Sequence, residues 1–135
     1  MPTTVPASHR DLLSAPVGSL TTIGADGGPQ ATLTWFVFDE ADGHFKLSLN
    51  TDRLKTKNLR KRPQVSLLIP DPANPMRFMD VRGHAHAEPD PDYAWAVAHV
   101  NPKYGADVRE FDAPGSERLI VTIEPRNIYA VEIPG

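Results

Sequence analysis

The residues best equipped for chemistry lie in one short run. From Arg53 to Arg62 the chain carries Arg53, Lys55, Lys57, Arg60, Lys61 and Arg62 with no acidic residue among them, although the whole chain holds 14 Lys and Arg against 17 Asp and Glu. A helix starting here is electrostatically awkward. Its N-terminal end is already positive and favours acidic neighbours, and Arg53 and Lys57, four residues apart, repel on one helix face. A bound anion resolves the conflict, because free backbone N–H groups, the helix dipole and Arg or Lys side chains together make a phosphate site. The hydroxyls of Thr51 and Thr56 would add neutral donors. The segment taken alone also fits a solvated basic helix face. A nucleic-acid patch fits less well, since the net charge is −3 and no nucleic-acid motif accompanies the run.

Other reactive residue types are present without the spacing that chemistry needs. His84, His86 and Glu88 alternate along a single strand face with no independent further ligand, so a polar outer surface is expected there rather than a metal site. Asp39 to Gly43 (DEADG) lacks the length of a calcium loop and reads as a turn. Ser48 and Ser66 have no nucleophile-elbow context. The chain has no cysteine, which excludes disulfides, thiolate ligands and a Cys nucleophile. No acid–base pair stands out, and no residue is singled out as catalytic.

The elements that must position the basic run can be read around it. At 135 residues and 40% hydrophobic content the chain suits a single domain over 1–135. Ser8 is a candidate cap for a short helix that Pro16 stops. Val17 to Ile23 reads as a strand, and Gly24 to Gly28 (GADGG) as a hairpin turn whose Asp-Gly supplies positive φ. Gln30 to Asp39 (QATLTWFVFD) is expected as one continuous strand. Thr32, Thr34, Phe36 and Phe38 would share one face and Ala31, Leu33, Trp35 and Val37 the other. Neither face is charged, so both are expected to be covered, and dimerisation would cover this two-sided apolar strand. His44 to Asn50 returns as a strand, and Thr51 or Asp52 is placed to cap the basic helix ending near Pro63. Gln64–Ile69, Met76–Glu88, Arg118–Glu124 and Asn127–Ile133 are further strands. Pro89 and Pro91 open a helix carrying Tyr93, Trp95, Val97 and Val100 to near Pro102. The opening MPTTVPASHRDLLS has no long apolar core, and no apolar run approaches the roughly 20 residues of a membrane span. A soluble, cytoplasmic protein binding neither membrane nor nucleic acid is expected. Short antiparallel strands with few helices predict a small barrel.

The order of four segments is specific enough to suggest a family. TTIGADGGPQATLTWFVFD, LSLNTDRLKTKNLRKRPQVSLLI, DPANPMRFMDVRGHAHAEPD and PGSERLIVTIEP, covering roughly residues 17–132, resemble the pyridoxamine 5′-phosphate oxidase-like split-barrel flavoproteins. The resemblance is strongest to their coenzyme F420-dependent branch, found mainly in actinobacteria. It implies a mainly β fold, a six-stranded antiparallel split barrel with a few short helices, and a homodimer with cofactor sites at the interface. It implies an F420-dependent oxidoreductase passing a hydride to a small conjugated or heteroaromatic substrate, with FMN as the alternative cofactor and a non-catalytic ligand-binding protein as the alternative role. By the same resemblance Arg53, Lys55 and Lys57, with Thr56 and Asn58 beside them, hold the cofactor phosphate. Gln30 to Trp35 lies along the ring, with Gln30, Thr32, Thr34 and Trp35 as contacts and Ser48 and Asn50 on the neighbouring strand. The region of Met76, Arg77 and Phe78 reaches the partner subunit's site, and Tyr104 lies near the mouth without a proton-donor role.

Overall fold

The computed structural model describes residues 3–133; the expected span of 1–135 extends two residues beyond them at each end. One antiparallel sheet of seven strands carries the fold, in the spatial order β2-β1-β5-β6-β7-β4-β3. The strands are β1 (Gly18–Ile23), β2 (Pro29–Thr34), β3 (Val37–Asp39), β4 (His44–Asn50), β5 (Gln64–Pro70), β6 (Arg77–Pro89) and β7 (Arg118–Glu132). The basic helix α1 (Leu54–Lys61) links β4 to β5, and two short helices, α2 (Ala94–His99) and α3 (Asn101–Tyr104), lie between β6 and β7. Alternation decides which side faces in: Phe45, Leu47 and Leu49 of β4 are buried, as are Val65, Leu67 and Ile69 of β5. They meet Leu20, Met79, Val81, Val121 and Ile123 in one core.

The strand expected over Gln30–Asp39 is not continuous. It breaks at Trp35 and Phe36, so the six strands implied by the resemblance become seven. Tertiary hydrogen bonds make the break. The Phe36 N–H donates to the Tyr104 hydroxyl at 3.0 Å, and that hydroxyl donates back to the Phe36 carbonyl at 3.1 Å. The Lys103 ammonium donates to the same carbonyl at 2.7 Å. Backbone groups that a ladder would pair are thus taken by side chains of α3. At the other end two expected strands fuse into β7. A register shift opposite Arg82 and Gly83 accommodates Pro125, and Gly83 is required because a Cβ there would lie 2.2 Å from the Glu124 carbonyl oxygen.

Consecutive strands β2 and β3 form the two outer edges of the sheet, with only Trp35 and Phe36 between them. The sheet therefore curls until its edges approach, and its strand pairing stays open rather than closing into a barrel.

The face of β2 carrying Ala31 and Leu33 is uncovered in the single chain, with Leu33 70% exposed. Three expectations about local structure are corrected. Neither Thr51 nor Asp52 caps α1. Arg53 occupies the cap position without a side-chain bond, and the Asn50 side chain instead accepts from the Asp52 N–H at 2.8 Å. The N-terminal element is a 3-10 helix (Ala7–Ser14) entered from Pro6, so Ser8 is not its cap. The helix expected from Pro91 is in pieces because Asp92 and Tyr93 take left-handed backbone conformations, with φ of 56° and 59°; the Asp90 carboxylate accepts from the N–H groups of Trp95 and Ala96 at 2.8 and 3.0 Å.

Candidate functional site

A cleft of about 620 Å³ opens at the seam where the two ends of the curled sheet approach. Leu33 and Thr34 reach it from β2, Ser48 and Asn50 from β4, and Arg53 and Lys55 from the start of α1. The rest of its wall includes Trp35, Asp52, the loop bearing Phe111, Asp112 and Ser116, and Arg118 of β7.

Lys55 is the unusual group. It is only 6% exposed, and its ammonium has one protein hydrogen bond, a 3.4 Å contact to the Leu33 carbonyl. No described carboxylate pairs with it. Burial first, and then the positive charges of Arg53 and Arg118, lower its pKa. A desolvated cation without a counter-ion costs free energy that an anion in the cleft would offset. The chemistry of this donor set therefore fits a phosphate or carboxylate. The uncapped first turn of α1 adds backbone N–H groups with no intrahelical acceptor.

Arg118 presents a contrast. Its Nε and one terminal nitrogen grip both oxygens of Asp112 at 2.8 and 3.0 Å, and the other terminal nitrogen donates to the Ser48 carbonyl at 3.0 Å. The Tyr93 hydroxyl also donates to Asp112 at 2.7 Å. Burial raises the Asp112 pKa, but donors from Arg118, Tyr93 and Asn50 outweigh it and hold the carboxyl at about 2. Trp35 stacks on Tyr104 with ring centres 4.0 Å apart and meets Phe111 edge-on at 5.5 Å.

Of the twelve sequence-nominated residues, Thr34, Trp35, Ser48, Asn50, Arg53 and Lys55 line this cleft. The others lie elsewhere in the chain. Asn58 is buried and donates to Thr22 and Gln30, which fastens α1 to the β1–β2 hairpin. Thr56 donates to the Asn50 carbonyl at 2.8 Å and so shapes the turn into α1. The Thr32 hydroxyl is buried without any partner, away from the cleft lining. Lys57 points to solvent. Arg77 joins Asp11 and Asp71 in ion pairs that tie β6 to the N-terminal 3-10 helix. The Tyr104 hydroxyl is committed to the Phe36 backbone. Sequence reasoning missed Arg118, Asp112 and Phe111. Their only signal was a Gly-, Asp- and Pro-rich loop running into a strand, which names no partner. Among the described residues no His, Cys, Asp and Glu group is arranged to hold a metal, and no helix is long and apolar enough to cross a membrane.

A curled antiparallel sheet with an anion-ready cleft at its seam defines the class, and comparison with known proteins supplies the family. The family model described as pyridoxamine 5′-phosphate oxidase matches residues 5–132, so the chain belongs to that family. A solved structure described as an F420 reductase is 31% identical, with a TM-score of 0.80 over 93% of this chain and 98% of that one. A putative pyridoxamine 5′-phosphate oxidase from Listeria innocua is 24% identical, with a TM-score of 0.63 over 88% and 90%. A heme storage protein from Vibrio cholerae shares the fold at 14% identity, with a TM-score of 0.75 over 95% of each chain. Family and fold together support a flavin- or deazaflavin-type oxidoreductase.

Proposed function

We propose that the cleft binds reduced coenzyme F420 and that the protein passes its hydride to a small conjugated or heteroaromatic acceptor. One observation carries the reading: the buried, carboxylate-free Lys55 beside Arg53, facing a cleft large enough for a cofactor. The likeness to the F420 reductase favours F420 over FMN, the second reading. Lys55, Arg53 and the uncapped N–H groups of α1 hold the phosphate. Thr34, Ser48 and Asn50 offer polar contacts to the ring, and Trp35 closes one end. When bound, reduced F420 supplies the hydride; the chain supplies orientation and a partly desolvated site, which is the protein's main task in cofactor chemistry. No side chain is assigned as proton donor, and water fills that role.

The reading includes a single-domain, cytoplasmic homodimer. The uncovered Leu33 lies level with Leu68 through Ser19 in the sheet register, giving an exposed apolar row for a second copy. Arg77, ion-paired within its own chain, has its role at a partner site only through that dimer. Parallel fluorescence titrations with F420 and FMN test the cofactor. Micromolar F420 binding with little FMN binding supports the reading. Preference for FMN moves the protein to the flavin branch, and binding of neither removes the oxidoreductase reading.

A further inference from the structure

Phe111 is 56% exposed, yet it is not on a frayed loop. Two anchors bracket it. On one side Val108 is buried against Ala96 and Val100, and its N–H donates to the Asn101 side chain at 3.0 Å. On the other, the next residue is Asp112, gripped by Arg118 and Tyr93. The backbone that carries the ring is therefore held on both sides, while the side chain itself stays largely exposed. Among the described residues, Leu33 and Phe111 are the large exposed hydrophobic residues that line the cleft, and Phe111 is the aromatic one.

Its geometry is defined by Trp35. One face of the indole is closed by the parallel Tyr104 ring, whose hydroxyl is locked to Phe36. Phe111 stands at 72° to the indole, so the two rings form a corner. Lys55, by contrast, reaches the Leu33 carbonyl two residues back along the chain. The cleft thus has a cationic end and an aromatic corner. A ligand whose anionic group occupies the first leaves the second to another molecule. Aromatic side chains favour offset-stacked and edge-to-face contact with flat rings.

We propose that Phe111 is a specificity-determining residue that selects flat, aromatic-sized substrates by stacking them in the corner it makes with Trp35. The inference rests on the F420 reading only in assigning the cationic end to the cofactor. The test needs a readout independent of turnover. The chain has two tryptophans, so in a Trp95→Phe background the single indole N–H resonance belongs to Trp35. That signal is followed while the protein, with and without F420, is titrated with 2-naphthol and, separately, with the non-planar cyclohexanol. Binding of 2-naphthol is expected to be at least about tenfold tighter than that of cyclohexanol. Phe111→Leu, which keeps apolar bulk but removes the flat ring, should erase most of that preference. Phe111→Tyr should retain it, and F420 affinity should change less than about twofold in both variants. Unchanged naphthol preference in Phe111→Leu overturns the proposal, as does failure of naphthol to bind. Loss of F420 affinity in that variant also overturns it, since the ring would then serve the cofactor. If F420 does not bind the parent protein while the naphthol preference still follows Phe111, the cofactor reading fails and the aromatic corner stands.

Discussion

Lys55 is buried and Lys103 half-buried, and among the described residues neither is paired with a carboxylate, but their surroundings differ. The Lys103 ammonium donates to the Phe36 carbonyl at 2.7 Å, lies 3.4 Å from the Leu13 carbonyl and sits 3.8 Å from the centre of the Phe36 ring. Its donors are used, and they hold the corner between β2 and β3. Lys55 has only the 3.4 Å contact to Leu33 and faces the cleft. A cation satisfied by protein is part of the fold; one left unsatisfied beside a cavity is a candidate for a ligand. Arg118 is a third case, a cation neutralised by Asp112 that builds the cleft wall.

The comparison can be broken in several ways, the largest effect coming from the paired cation. Asp112→Asn leaves Arg118 without its counter-charge, and breaking a buried pair costs about 3–5 kcal/mol; urea denaturation should show a loss of that order. Lys103→Met should lower stability by about 1–2 kcal/mol, the lost charge-assisted bond being partly offset by relief of a desolvated charge. Its F420 affinity should stay within about twofold. Lys55→Ala is expected to do the reverse: nearly unchanged stability, with F420 binding weakened by about tenfold or more, or at least 1.4 kcal/mol. If Lys55→Ala unfolds the protein while Lys103→Met weakens the cofactor, the distinction collapses.

pH sharpens the same contrast. Burial lowers the Lys103 pKa to about 8 from an ordinary 10.5. Between those values the unfolded chain binds more protons than the folded one, so stability rises with pH across that window. Thermal melts at pH 8 and pH 10 should show the rise in the parent protein and a smaller one in Lys103→Met. Lys55, also lowered by burial, must be protonated to hold an anion. F420 affinity should therefore begin to fall at a lower pH than an exposed lysine would give, and the trend should vanish in Lys55→Ala. The smallest effect belongs to Thr32→Val. Replacing an unpartnered buried hydroxyl by a methyl should be neutral or stabilising by up to about 1 kcal/mol, with F420 binding unchanged. A loss of binding would return Thr32 to the ring contacts.

Much was legible before any coordinates. Local alternation marked β1, β4, β5 and β6 close to their observed limits, and the GADGG turn follows from the positive φ that Gly27 adopts. The basic run was legible as a densely charged helix because charge density is a property of the chain itself. Three features were decided only in three dimensions. The break at Trp35 and Phe36 depends on Tyr104 and Lys103, some 68 residues away, competing for backbone groups that local propensity would pair in a strand. The division of the basic run into Arg53 and Lys55 at the cleft, Arg62 bound to the Ile23 carbonyl and Lys57, Arg60 and Lys61 in water depends on which helix face meets the sheet. The Asp112–Arg118–Ser48 wall joins residues that no spacing rule connects. Sequence alone determined which segments would be strands and which would carry charge, because those follow from neighbours along the chain. Only the curling of the sheet decided which charges were left without a partner, because pairing depends on contacts across it.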